Sequence, residues 1–310
     1  MISIFLTFLS LLPTPLQETA DEKKGQFLRP TTTFDLDMVR TFRSMQEHVQ
    51  IVSAKKESEC LEALKANGFQ LVNKLITPDE SGGRAYVATH EKSLVIAFRG
   101  TKSARSREFF SNLASDLDLR WKKMAWVPES YRQIKVHGGF ATEYSRFRDA
   151  ILKALDAHPE KEIYIVGHSL GSALATLAAF DIEVSRERSV YLYVSGTPRI
   201  AGKSFQKAFE KEVTFCVRMT VGEDPFPRIF PRKLGYVHVG RLLPLEKDGT
   251  VVPLDRIKAK MSAGTFGDHD NRLYRKVADS FLDRCRKDPS LFEAPDLLQK
   301  SAEAEMGSKR

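Results

Sequence analysis

A chain of 310 residues, 42% hydrophobic and 28% charged, can bury a sizeable core and has an ordinary globular composition, which excludes collagen-like, low-complexity and wholly disordered chains. Forty-eight Lys and Arg against 40 Asp and Glu leave a formal charge of +8, suited to an anionic lipid surface or to nucleic acid. The basic residues are scattered without an RNP-like, zinc-finger or basic-region pattern, which argues against nucleic acid, and Cys60, Cys216 and Cys285 are too widely spaced for a zinc cage or a CxxC pair.

In chain order, Met1 to Leu12 is an apolar run too short to cross a bilayer, followed by Pro13, Pro15 and then charge. Residues 1–20 therefore read as a secretory signal. They lack a basic start, and Glu18-Thr19-Ala20 only approximates a cleavage site, so a buried or frayed N-terminal segment is the competing reading. Residues 21–33 read as a polar linker, 34–286 as one folded domain and 287–310 as a polar, flexible tail. Within the domain, Asp35 to Ala54 and Glu57 to Ala66 predict two helices, the second stopped at Asn67-Gly68. Arg84 to His90 and Ser93 to Arg99 predict a hairpin around Glu91-Lys92, with the second strand central because it is nearly all apolar. A basic loop from Thr101 to Arg107 and a β-like stretch from Asp116 to Trp121 come next. After Val136-His-Gly-Gly-Phe140, the spacing of Phe140, Tyr144, Phe147, Ile151 and Leu155 predicts a helix through His158. A strand at Ile163 to Gly167 and a small-residue helix through Phe180 follow. Strands at Val190 to Ser195 and Val213 to Met219, a helix at Lys203 to Glu210 between them, a β-like run at His238 to Leu242 and a last helix from Asn271 to Arg286 complete the pattern. Such strand–helix alternation predicts an α/β fold with a mostly parallel central sheet flanked by helices.

Gly167-His-Ser-Leu-Gly171 matches G-x-S-x-G in the context that motif requires, after an apolar strand and before a helix. The glycines are needed because the turn is sharp and a Cβ at either position would strike the neighbouring helix and strand. Ser169 is thereby raised at the strand's carboxyl end. Ser172, Ala173, Ala175 and Ala178 keep the following helix narrow, and its N-terminus favours negative charge. A serine hydroxyl needs a base, and the base a carboxylate, in the order Ser, Asp or Glu, His. Two histidines follow Ser169. His238 lies in a strand-like alternation, whereas His269 lies in a polar loop before a helix and is the chosen base. Asp224, beyond the strand ending at Met219, belongs at the sheet's carboxyl edge; Glu223 is its rival, and Asp248 and Asp255 read as solvated charges. The set suits acyl transfer to water. One oxyanion donor is the Leu170 N–H; the second comes from His137-Gly138-Gly139 or from the turn Phe98-Arg-Gly-Thr101, with Thr101 favoured.

From about Tyr86 to Tyr274 the chain resembles the class 3, fungal-type triacylglycerol lipases. The resemblance rests on Ile96-Ala-Phe-Arg-Gly-Thr101, Asn112-Leu-Ala-Ser-Asp-Leu117, Val136-His-Gly-Gly-Phe140, Gly167-His-Ser-Leu-Gly171, Gly196-Thr-Pro-Arg199, Asp224-Pro-Phe-Pro227 and Asp268-His269, in that order. It implies an α/β-hydrolase fold with a lid over the site and no metal or organic cofactor. It implies Ser169, Asp224 and His269 as a catalytic triad and Thr101 and Leu170 as the oxyanion hole. The lid corresponds to Ser103 through Ser111, where Arg105 and Arg107 beside Phe109 and Phe110 form an interfacial pairing or, alternatively, a solvated loop with a phenylalanine pair in the core. Two departures stand out: no Trp occurs at Phe110 to Asn112, and Pro225-Phe226 replaces the usual aliphatic residue after the acid. The resemblance also implies a Cys60–Cys285 disulfide, against which stands a set of three reduced, buried thiols.

The function so implied is a secreted serine carboxylester hydrolase acting on acylglycerols at a membrane or emulsion interface, without a transmembrane anchor and without nucleic acid. A phospholipase A1 or galactolipase would use the same triad. A catalytically silent lipid-binding protein on the same scaffold, an acyltransferase, and a cytoplasmic or peripheral location are the remaining alternatives.

Overall fold

Strands that are apolar at nearly every position need cover on both faces, and the sheet is built accordingly. The computed structural model describes Leu28 and residues 31–72, 74–78, 83–100, 120–253, 256–257, 266–292 and 299–300. Eight strands form one sheet in the order β1 (Gln70–Leu71), β2 (Ala85–His90), β3 (Ser93–Phe98), β6 (Glu162–His168), β7 (Val190–Ser195), β8 (Phe215–Val221), β9 (Arg241–Leu245) and β10 (Gln299–Lys300). From β3 to β9 every pairing is parallel; β1 with β2, β2 with β3, and β9 with β10 are antiparallel. A separate ribbon pairs β4 (Trp121–Lys123) with β5 (Lys135–His137).

Because successive side chains point to opposite faces, each strand feeds two cores. On β3, Leu94, Ile96 and Phe98 join a core with α3 (Gly138–Asp156), α4 (Leu170–Arg186) and α5 (Lys203–Glu212). Val95 and Ala97 join the opposite core, with α1 (Leu36–Val52), α2 (Glu57–Ala66) and α6 (Asn271–Lys287). Every residue of α4 from Gly171 through Ile182 is buried, which its small side chains permit. Asp181 ties α3 to α4, accepting from Tyr144 Oη at 2.8 Å and Arg148 Nε at 2.6 Å.

Several boundaries differ from expectation. α4 continues to Arg186, where Glu183 anchors its last turn by accepting from the N–H groups of Val190 and Thr214. The β-run expected at His238 begins at Arg241, and the two-residue strands β1 and β10 are too short to carry a readable period. In the tail, Lys287 closes α6, Pro289–Phe292 form a 3-10 turn and Gln299–Lys300 pair with β9. Residues 1–20, and all of the linker before Leu28, lie outside the described residues. The expected Cys60–Cys285 bridge is not formed: all three cysteines are free and buried. Burial pushes the Cys60 thiol up to about 11 and the Cys285 thiol up to about 12, which disfavours the thiolate needed for exchange. No helix among the described residues is long and apolar enough to cross a membrane.

Candidate active site

β6 ends and α4 begins within a single residue, Ser169, and the backbone there is strained. Ser169 takes φ +60°, a region that residues with a side chain rarely occupy. The flanking glycines allow it. A Cβ on Gly167 would lie 2.2 Å from the Gly171 carbonyl oxygen, and one on Gly171 would lie 2.4 Å from the Phe98 carbonyl oxygen, both impossible contacts. The Ser169 N–H donates to the Ser195 carbonyl at 3.0 Å, fixing the turn against the end of β7. Leu170 opens α4, so its N–H is among those without an intrahelical acceptor and meets the helix's positive end. Ser169 Oγ has no hydrogen-bond partner among the described residues, and Ser169 is only 1% exposed.

His269 closes a 3-10 turn, Phe266–His269, directly before α6, whose N-cap Asp270 accepts from the Arg272 N–H. Its Nδ1 lies 2.8 Å from Asp224 Oδ2. With Nδ1–H donating to the carboxylate, the lone pair of the neutral ring is at Nε2. Asp224 follows β8 and is buried. Burial alone would raise its pKa, but His269, the Tyr274 hydroxyl at 2.6 Å and the Phe226 N–H at 2.8 Å outweigh it and hold the carboxylate below its usual range. Phe226 also stacks on the His269 ring at 4.3 Å. Gly196, at φ +55°, leaves room for these groups: a Cβ there would lie 2.9 Å from His269 Cε1 and 3.1 Å from Asp224 Oδ2.

A buried polar chain stands behind the histidine. His168 Nε2 lies 3.0 Å from the His269 carbonyl oxygen, and its ring stacks on that of His269 at 4.7 Å. Burial lowers the His168 pKa to about 3, so the ring is neutral with a single N–H. A carbonyl can only accept, which puts that proton on Nε2 and makes Nδ1 the acceptor for Ser195 Oγ, 3.1 Å away. Ser195 in turn lies 3.2 Å from the Gln46 carboxamide on α1. On the other side, Asp268 accepts from the Glu223 N–H at 3.0 Å and pairs with Lys247 at 2.7 Å.

The structure thus bonds His269 to Asp224 and sets Ser169 and Leu170 at the same edge of the sheet, directly after His168, whose ring stacks on that of His269; among the described residues Ser169 Oγ is not hydrogen-bonded to His269. Glu223 contributes its backbone to Asp268 and not its side chain to His269, and His238 is buried apart, its carbonyl accepting from Gln206. His137-Gly138-Gly139 serves another purpose: His137 caps α3, and the Gly138 N–H is taken by the Arg120 carbonyl. Thr101, Arg105, Arg107, Phe109 and Phe110 lie outside the described residues. Tyr274, Ser195 and Gln46 had no motif to mark them; His168 occupied a variable position of its own motif.

A parallel sheet with a serine on a strained strand-to-helix turn, and a histidine–aspartate pair at the sheet's carboxyl edge, is the α/β-hydrolase arrangement. The class 3 lipase family model matches residues 95–234. The lipase of Rhizomucor miehei is 31% identical over 162 residues, 48% of this chain and 41% of that protein. The secreted mono- and diacylglycerol lipase A of Penicillium cyclopium is 30% identical over 167 residues, 53% of this chain and 51% of that protein. The chain thus spans about half the length of these curated relatives. Among solved structures, lipase II from Rhizopus niveus superimposes with a TM-score of 0.63 at 21% identity, covering 77% of this chain and 95% of that one. The chain thus has the α/β-hydrolase fold of the solved fungal lipases it resembles, and its residues 95–234 match the class 3 lipase family model.

Proposed function

We propose that this chain is a secreted serine carboxylester hydrolase that cleaves fatty-acyl esters of acylglycerols. The reading is carried by the bond from His269 Nδ1 to Asp224 Oδ2 beside Ser169 on its strained turn. In it, Ser169 Oγ attacks the ester carbonyl while His269 Nε2 takes the hydroxyl proton, and Asp224 stabilises the imidazolium. The Leu170 N–H and Thr101 hold the oxyanion. His269 then protonates the departing alcohol, leaving an acyl-enzyme, and water attacks that ester with His269 again as base, releasing the fatty acid. The low exposure of Ser169 supports a lid, assigned to residues 103–111 with Arg105, Arg107, Phe109 and Phe110 facing lipid. Relatives named as secreted lipases support export and a signal at residues 1–20.

Fatty-acid release from a long-chain triacylglycerol emulsion tests the reading. Wild type should release acid, and Ser169→Ala should lose activity by about 10⁴-fold or more. Turnover of phospholipid or galactolipid alone would move the substrate class; equal rates for both proteins would refute the nucleophile.

A further inference from the structure

Residues 120–142, 196–209 and 225–245 contain twelve Lys and Arg against one acidic residue, Glu129, compared with 48 and 40 over the whole chain. The fold joins these three segments. Val136 bridges Ala201 and Ala201 bridges Val237, the His137 N–H donates to the Ile200 carbonyl at 2.8 Å, and the Gly138 N–H donates to the Arg120 carbonyl at 2.8 Å. At this junction Trp121 stacks on Tyr236 with ring centroids 4.4 Å apart. Gly202 and Gly235 lie against the indole, where added Cβ atoms would be 3.7 and 3.9 Å from it. Trp121 is 36% exposed and the neighbouring Leu234 is 59% exposed, a pairing of large apolar groups at the surface.

Lys123, Lys135, Lys203 and Lys233 on these same segments are all exposed. The hydrogen-bond acceptor for Lys123 is the neutral Gln133, so this contact leaves the charge standing. Lys123 is also directly opposite Lys135 in the ribbon, a like-charge pair that costs the ladder stability and so points to a use for the charge. The surface adjoins the candidate site through one loop. Gly196 touches His269 and Gly202 touches Trp121, and six residues span at most about 21 Å.

We propose that this face docks the protein on an anionic lipid surface, with Trp121 and Leu234 entering the headgroup–acyl boundary and Lys123, Lys135, Lys203 and Lys233 meeting lipid phosphates. Amphipathic rings favour that boundary, and each basic group near an anionic leaflet adds to the attraction. The proposal rests on the ester-hydrolase reading for its purpose, since docking here brings the site to its substrate.

Vesicle flotation tests it, with pure phosphatidylcholine compared with a mixture of three parts phosphatidylcholine to one of phosphatidylglycerol. Wild type should partition about tenfold or more onto the anionic vesicles, and the preference should collapse at about 0.5 M salt. The double variant Lys123→Glu, Lys233→Glu should lose that preference, while Trp121→Ser should bind both vesicles more weakly. The control Lys65→Glu, Lys153→Glu carries the same charge change at other exposed sites and should retain the preference; circular dichroism establishes that each variant is folded. Equal partitioning of wild type onto the two vesicles, or equal losses in the two double variants, would overturn the docking surface. So would a concentration-dependent dimer abolished by Trp121→Ser, which would give the face to a second copy. Hydrolysis of a soluble short-chain ester separates the two ideas: turnover without anion preference overturns the docking surface alone, and anion preference without turnover overturns the hydrolase reading alone.

Discussion

A carboxylate as enclosed as Asp224 stays ionised only if its oxygens are met by donors, and each of its donors comes from a different place in the chain. Phe226 is two residues away, His269 lies in the turn before α6, and Tyr274 stands one helical turn into α6. Tyr274 also accepts from the Val221 N–H at 3.3 Å, so its hydroxyl links the end of β8 to the acid that follows it. Removing that hydroxyl with Tyr274→Phe takes a charge-assisted bond worth roughly 1.5–3 kcal/mol from the carboxylate. Steady-state kinetics on a soluble ester should then show kcat lower by about tenfold with KM little changed. A rise in KM at constant kcat would mean that Tyr274 acts on substrate binding instead. Ser169 could be read from five residues of sequence because its neighbours are local. Tyr274 could not, because its partner is fifty positions earlier.

At the scale of elements, α1 does more than cover the sheet. Its apolar period is readable at Leu36, Val39, Phe42 and Val49, and Asp35 caps it by accepting from the Met38 N–H at 2.8 Å. Yet Thr41, Ser44, Gln46 and His48 are buried with the apolar side chains, a pattern that no amphipathic reading would assign to a core-facing stripe. The contacts explain it. Gln46 reaches Ser195, and through Ser195 and His168 it bears on the backbone of His269; Gln50 donates to the Asn271 carbonyl at 2.9 Å, and Arg43 pairs with Asp279 at 2.6 Å. α1 therefore holds α6 and the histidine turn before it. Gln46→Leu should cost about 1–3 kcal/mol, seen as a lower urea midpoint at unchanged slope, and should lower kcat several-fold. Unaltered kcat in a destabilised variant would confine Gln46 to a structural part.

At the scale of the whole molecule, buried neutral histidines set the response to acid. Burial lowers His48 and His168 to about 3 and pushes His238 well below its ordinary value. In the unfolded chain each takes up a proton near pH 6.5, and in the folded chain only far below that. Between those limits the unfolded state holds more protons, so stability is full above about pH 6.5 and is lost as pH falls. The limiting slope is about 1.4 kcal/mol per pH unit for each histidine. Urea unfolding at pH 7 and pH 5 should show a loss of several kcal/mol, and a flat profile would contradict the burial of these rings in the neutral form.

The α/β class, the central hairpin and the strained serine turn were readable from residue order, since apolar period, glycine geometry and the strand–turn–helix context act over a few residues. His269 and Asp224 were favoured from their sequence context, but the 2.8 Å bond between them, and the turning of the Glu223 backbone to Asp268, needed the folded chain. Adjacent carboxylates have the same chemistry, and only the direction each takes from the end of β8 decides which one meets the imidazole. The same holds for the polar chain from Gln46 to His269 and for the basic face around Trp121. Both are assembled from segments far apart in sequence, where packing rather than local preference brings the groups together.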